Sequence, residues 1–513
     1  MSSRRTRRAF LRQTAVRGAL LTAGGLLLPA APRALNAAQA KAPAKVALQP
    51  AIEPLVCLLE ETPREKLLEE VGQQIRRGIR YENVLAALLL AGVRNVEPRP
   101  SVGFKFHAVL VVHSVHLASL AASEKDRWVP IFWALDYFKD CQAQDERERG
   151  WTMAPVAESG VPSRGNAQPA FIRAMEQWDE SAADAAIAGL VRAGQPEPIW
   201  ELFYRFGARD FRSIGHKAID VANSHRVLNV IGWQHAEPAL RSLAYALLMH
   251  EEGNPAPRDA PADRPWRENQ ERVKKIPEGW QQGPPNAEVT RDLLAAIRNG
   301  SENDAADRVV QLLGRGAGAA SVWDALFLAA GELLVRQPGI VALHAVTTTN
   351  ALHYAYRAAR EDLTRRLLVL QNAAFLSLFR QAMRERGMVR DFAVDRFEPL
   401  PTKSQGAEAI EEIFADAGRD PMVAAQKTLA LLKSEDLLEP WRKKARELLV
   451  AKSSDPHDYK FGYASLENVA SISAAWRGRY LASAMFRLQA SSKRDNPLVE
   501  RTRAALEGRR TTS

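Results

Sequence analysis

The chain has 513 residues, 46% of them hydrophobic, with 70 Lys and Arg against 60 Asp and Glu. Seven arginines and no acidic residue fall in the first forty positions, so the rest stands at 63 basic against 60 acidic residues, or +3. The basic balance therefore gives no support for nucleic-acid binding. Two cysteines, Cys57 and Cys141, exclude a disulfide scaffold and leave open either one bridge or two buried thiols.

Thr6-Arg7-Arg8-Ala9-Phe10-Leu11-Arg12 sets two adjacent arginines ahead of an apolar pair. A short hydrophobic stretch follows over 19–28, and Ala38-Gln39-Ala40 supplies small residues where a signal peptidase reads. This order describes a removable twin-arginine (Tat) export signal over 1–40, with Arg7, Arg8, Ala38 and Ala40 as its reading points. The expectation is a periplasmic or secreted protein that meets the Tat translocation machinery. The stretch is shorter than the roughly 20 apolar residues a membrane span needs, and the mature chain holds no other candidate.

Beyond the signal the patterning is helical. Apolar residues recur at three- and four-residue spacing over 65–77, 182–192, 200–206, 238–250, 305–314, 321–336, 361–384 and 407–417. Pro-, Gly- and charge-rich stretches at 142–168, 253–288 and 392–406 read as linkers. The predicted fold class is all-α, a multi-helical array with about three diverged helical repeats. The blocks are 41–141, 169–252 and 289–390, with a C-terminal helical region over 407–513.

An internal repeat supports those blocks. Ala182-Ala183-Asp184 precedes Trp200-Glu201 by the same distance that separates Ala305-Ala306-Asp307 from Trp323-Asp324. Leu190 and Arg192 match Leu313 and Arg315. Gly314-Arg315-Gly316-Ala317-Gly318 imitates a phosphate loop but lacks a preceding strand; it aligns with Gly194-Gln195-Pro196 and reads as an interhelical turn. Each block then reaches two histidines nine positions apart, His216 with His225 and His344 with His353, and His107 with His116 repeats the spacing.

Nine residues on a straight helix turn through about 900° and rise about 13.5 Å. The members of a pair therefore point to opposite faces. A shared site must be built across repeats, from His107, His216 and His344, or from His116, His225 and His353. Three imidazoles and a solvent ligand form an accepted catalytic metal set. His113 and His116 are the one local pair on a single helical face. Packing is the competing role for all of these, as it is for Trp200 and Trp323. The aromatic group Trp128, Phe132, Trp133, Tyr137 and Phe138 reads as core or as the wall of an apolar pocket. Arg365-Arg366 and Lys443-Lys444 read as solvated helix faces.

Several segments resemble the questin oxidase-like family. They are His216-Lys217-Ala218-Ile219 with Ala222-Asn223-Ser224-His225-Arg226-Val227-Leu228, then Glu237 to Leu247, His344-Ala345-Val346-Thr347, Asp455-Pro456-His457-Asp458-Tyr459-Lys460, and the stretch from His107 to His116. The resemblance implies an all-helical oxidoreductase whose fungal namesake opens an anthraquinone ring with NADPH. The second histidine pair departs from the family spacing, and nicotinamide is scarce outside the cytoplasm. What carries over is the oxidation of an aromatic or polyketide-like compound in a histidine-lined pocket. His216, His225, His344, His353, His457 and Lys460 are the expected catalytic residues, with one histidine as base toward a phenol and Lys460 stabilising the anion. If a metal is the cofactor, the imidazoles are its ligands instead. The alternative is a non-catalytic helical-repeat protein, binding a small molecule, whose histidines are structural.

Overall fold

Helix starts along the chain are marked by residues that satisfy otherwise orphaned N–H groups. Asp179, Asn286, Asp420 and Asp455 each accept from a backbone N–H within the first turn of the helix they precede. Ser301 and Asp304 close a reciprocal capping box. The structure, a computed structural model, describes residues 45–99, 105–251 and 253–509. The export motif, including Arg7, Arg8, Ala38 and Ala40, lies outside the described residues.

The first helices are α1 (Glu53–Glu61), α2 (Arg64–Arg76), α3 (Tyr81–Asn95), α4 (His107–Leu110), α5 (Val112–Ala121) and α6 (Val129–Glu148). Next come α7 (Ala167–Gln177), α8 (Glu180–Ala193), α9 (Pro196–Gly207), α10 (His216–Ile231), α11 (Ala236–Leu248) and α12 (Arg264–Arg272). The third stretch holds α13 (Ala287–Asn299), α14 (Glu302–Gly314), α15 (Ala319–Arg336), α16 (Ile340–Ala358) and α17 (Asp362–Arg384). The last is α18 (Gly406–Asp416), α19 (Pro421–Leu431), α20 (Leu438–Lys452), α21 (Pro456–Asn468), α22 (Ala474–Ala484) and α23 (Leu498–Glu507). Among the described residues there is no strand, so the fold is all-α. No described helix is long and apolar enough to cross a membrane.

Two expected linkers contain helix. α6 runs on to Glu148, and α12 occupies 264–272. Their sequences, such as Arg264-Pro265-Trp266-Arg267-Glu268, carry too few apolar residues to register as periodic. The glycine stretch after α14 is an interhelical turn, as is Gly194, which ends α8 in the left-handed conformation that glycine adopts without a Cβ penalty.

Four helices form the inside of the molecule. α5, α10, α16 and α21 pack in a ring, each against the next, and α3, α6, α9, α11, α15, α17 and α20 lie outside them. The inner four carry few one-sided patterns because they are covered all round. His344 to Leu352 in α16 and Pro456 to Leu466 in α21 are buried without a break. Such helices gain most of their stability from tertiary burial rather than propensity. They run in the same direction. Asn223, seven residues after His216, donates to the Leu110 carbonyl, three after His107 (2.9 Å). Arg226, ten after His216, reaches Asn350, six after His344 (3.1 Å), and Glu467, ten after His457 (2.8 Å).

The matched segments also use their repeated residues alike. Asp184 is bound by Arg241, and Asp307 by Arg272. Trp200 stacks on His225 with ring centroids 4.3 Å apart, and Trp323 meets His353 edge-on at 4.7 Å. The aromatic group in α6 is core: Phe132 and Phe138 are fully buried, and Trp133 stacks on Tyr137 and contacts Tyr459. Arg365 and Arg366 are not merely solvated. Arg365 holds the Ala359 carbonyl, and Arg366 binds the carbonyls of Val273 and Ile276. Cys57 and Cys141 are both free thiols.

A candidate metal centre of four histidines

The N-terminal ends of α10, α16 and α21 meet in one layer with α4, the short helix that leads into α5, and each of these four brings a histidine. His107 opens α4, His216 opens α10, His457 is the second residue of α21, and His344 lies in the first turns of α16. All four side chains are buried. His216 Nε2 lies 3.2 Å from His107 Nε2 and 3.0 Å from His344 Nε2. His457 closes the ring, with centroids 4.6 Å from His107 and 5.1 Å from His344. One ligand atom from each of the four lies within 4.8 Å of all the others.

The outer nitrogens define what the inner ones are. His216 Nδ1 is 2.6 Å from the Ser213 carbonyl, and His344 Nδ1 is 2.6 Å from the Ile340 carbonyl. A carbonyl only accepts, so both Nδ1 atoms carry the proton and both Nε2 atoms present a bare lone pair when the ring is neutral. His457 is turned the same way by Asp455, whose Oδ1 accepts from His457 Nδ1 (2.7 Å) and from its backbone N–H (2.8 Å). His457 Nε2 is buried without a hydrogen-bond partner.

Protonation does not relieve the contact. Burial, the nearby Lys460 charge and the neighbouring imidazoles push His107, His216 and His344 well below the ordinary imidazole range. Burial and Lys460 also lower His457, against the pull of Asp455. Despite its own burial, the Asp455 carboxyl is held down at about 2 by its bonds to His457. Two lone pairs 3.0 Å apart in a dry site repel unless a cation lies between them. With metal–nitrogen bonds of 2.0–2.1 Å, a tetrahedral ion sets its nitrogens about 3.3 Å apart. The four histidines fit a divalent transition metal. Asp455 and the two carbonyls complete the outer shell that orients imidazole ligands.

One turn along the bundle lie two further buried charges. Lys460 Nζ has no partner, and burial lowers its pKa to about 7. Asp220 keeps one oxygen on Ser224 (3.1 Å) and one without a partner, and burial raises it to about 7. Beside them the inner helices leave a small, partly open cavity of about 20 Å³, lined by Lys460, Ile219, Asn223, Thr347, Tyr463 and His113 among others. His113 is buried with both ring nitrogens unpartnered. Farther along, Arg226, Asn350 and Glu467, which also line the cavity, bond to one another.

The structure thus joins His107, His216, His344, His457 and the neighbouring Lys460. It keeps His116, His225 and His353 apart from them, on the opposite faces that the nine-residue spacing dictates. His225 lies between Trp200, the Tyr204 hydroxyl (2.6 Å) and the Tyr354 hydroxyl (3.1 Å). His353 packs on Trp323 and Phe327, and His116 bonds the Tyr81 hydroxyl (3.0 Å). Asp455 and Asp220 were not among the expected site residues. Asp455 had a signal, since Asp-Pro-His reads as a cap, a first-turn proline and a histidine fixed by its own cap residue.

The segment before His216 is strained. Ser213 (φ 57°), Ile214 (φ 46°) and Gly215 (φ 81°) are consecutive left-handed residues. A β-branched residue rarely adopts that region, and such strain concentrates at functional sites. The turn is what brings the Ser213 carbonyl back onto His216 Nδ1.

No protein-family model, no curated protein and no solved structure matches the chain.

Proposed function

We propose that this protein is a metal-dependent oxidoreductase built on the four-histidine centre. The observation that carries the reading is the contact of His216 Nε2 with His344 Nε2 at 3.0 Å, both with their protons committed to carbonyls on the other side. An all-imidazole set suits iron, copper, nickel or zinc. Four imidazoles fill the tetrahedron that zinc prefers and leave no place for a hydrolytic water. An ion that accepts five or six ligands keeps an open position here, which favours a redox metal and electron transfer to or from a substrate.

The chain's own residues hold the ion, fix the tautomers, exclude water and set a proton-carrying pair, Lys460 and Asp220, one turn away. The cavity beside Lys460 has room for one or two water-sized molecules and none of the four histidines lines it, so an aromatic or polyketide-like substrate, as the family resemblance implies, requires the inner helices to part. The same proposal includes export by the twin-arginine route on the strength of Arg7 and Arg8, which determination of the mature N-terminus tests.

A second reading, a closed zinc site riveting four helices, is favoured by the complete burial of the ligands. Elemental analysis and electron paramagnetic resonance of protein purified from its own host separate the two. About one iron or copper per chain supports the oxidoreductase, one zinc supports the rivet, and the absence of any stoichiometric metal overturns both.

A further inference from the structure

The strained turn before His216 has a different surrounding on each side. Outside it lies a surface cleft of about 800 Å³, lined by Arg212, Ser213, His250, Glu251, Arg258 and Glu385 among others. Inside it lies His216, with no exposed surface. Ser213 belongs to both. It lines the cleft, and its carbonyl accepts from His216 Nδ1 (2.6 Å) and from the His216 backbone N–H. A single residue thus touches both the cleft and the first imidazole of the buried cluster.

The turn is held from outside, against its own backbone preference. Ser213, Ile214 and Gly215 are consecutively left-handed, a conformation that costs Ser213 and Ile214 free energy that glycine escapes. The clasp is Arg212, whose guanidinium forks onto both oxygens of Asp263 (2.7 Å to Oδ2). The pair is partly solvated, so water competes for it. The two feet of the turn are fixed more firmly. Asp210 accepts from the Arg212 backbone N–H (3.0 Å) and from the buried Lys217 Nζ (2.9 Å). Phe211 donates its N–H to the Ala262 carbonyl (3.1 Å) and packs its ring on Phe375 and Phe379. Fixed feet, a strained span and an external clasp are the parts of a gate. Release of the clasp lets the span relax and lifts the Ser213 carbonyl off His216.

We propose that residues 212–215 form a gate between the surface cleft and the histidine cluster, which opens when Arg212 leaves Asp263 and admits small polar solutes to His216 from its Nδ1 side. The cleft walls carry both signs of charge, from Arg212 and Arg258 and from Glu251 and Glu385, which suits polar solutes over apolar ones. The gate stands on the turn and the cleft; its purpose, delivery of a small polar co-substrate to the centre, rests on the metal reading. An ion held by four imidazoles does not leave this way, because the turn touches only one of the four.

The test is reaction of the full-length protein, as purified, with diethyl pyrocarbonate, read residue by residue by peptide mass spectrometry. The reagent acylates neutral imidazoles that solvent reaches. His344 is the internal reference. It is as buried as His216, burial keeps both rings neutral at neutral pH, and its Nδ1 is held by the Ile340 carbonyl within a regular helix. His216 is expected to react roughly tenfold faster than His344, because a local opening costs less than a global one. Asp263→Asn and Arg212→Met loosen the clasp from either side. Each is expected to raise the His216 rate roughly threefold to fivefold, the scale of a partly solvated ion pair, and to leave His344 unchanged. Equal rates at the two histidines in wild type overturn the gate. So do variants that leave His216 unchanged, or that raise both histidines together by loosening the whole fold. Metal content of the same samples separates this result from the metal reading. Metal-free protein that keeps the tenfold ratio retains the gate and removes the metal centre; metal-loaded protein with equal rates loses the gate and retains the centre.

Discussion

Gly215 and Thr348 are in contact so close that no side chain fits between them: a Cβ on Gly215 would overlap Thr348 Oγ1. Gly215 immediately precedes His216, and Thr348 lies one turn after His344, two of the four clustered histidines. Gly215→Ala is therefore expected to shift the start of α10 against α16. The left-handed backbone alone costs a non-glycine residue about 1–2 kcal/mol, and the overlap adds to it. Denaturant unfolding should show a loss of that order or more, and metal affinity should fall with it. Unchanged metal affinity would separate the turn from the site.

The paired histidines are expected to divide their effects. His344→Ala removes a ligand and should abolish stoichiometric metal. His353→Ala empties a space between Trp323 and Phe327 and should cost about 1–3 kcal/mol while leaving the metal in place. Metal content and unfolding midpoints, measured on both variants, check the contrast. Metal loss in His353→Ala without loss of stability contradicts it.

Asp455→Asn keeps the cap but weakens the grip on His457. Outer-shell substitutions of this kind typically lower metal affinity 10–100-fold. Competition with a chelator measures the change, and a variant that holds metal as tightly as wild type would show that Asp455 serves only as a cap.

Two histidines outside the centre set a pH dependence. Burial lowers His225 to about 4 and His353 to about 3 from an ordinary value of 6.5. Between those values and 6.5 the unfolded chain binds protons that the folded chain refuses, so stability falls as pH drops below 6.5. Each contributes a slope of at most about 1.4 kcal/mol per pH unit. His225→Phe and His353→Phe should flatten the acid limb of a stability profile, and parallel profiles would refute the assignment.

Both cysteines should count as free thiols, the buried Cys141 only after unfolding. Burial pushes Cys141 up to about 12, and burial with the Glu53 carboxylate raises Cys57. Thiol counting with and without denaturant distinguishes this from a Cys57–Cys141 bridge.

Much of this site was legible in one dimension. The nine-residue spacing placed the members of a pair on opposite faces, and one of the two cross-repeat sets, His107 with His216 and His344, is the set that converges. The other was indistinguishable by spacing, since nothing in the sequence tells which face of α10 or α16 turns inward. Those helices are covered on all sides and show no polar face to orient them. His457 came from the family resemblance and not from the repeat. Asp220 and the orphaned His113 depend on packing between helices distant in sequence, which no local pattern reports. The helix α12 escaped detection because its burial falls on a few residues among many charges.

His107 and His457 are 350 positions apart, and the other two ligands lie between them on separate helices. No fragment of the chain offers more than one ligand from one helix, so tight capture waits until long-range contacts are nearly complete. Contacts of such sequence separation form late and slowly. Binding free energy and folding free energy are then the same quantity. On the proposed metal reading, ion selection would be kinetic: whichever metal is abundant around the chain when α21 docks would be sealed behind α4, α10 and α16, and later exchange would require the fold to open.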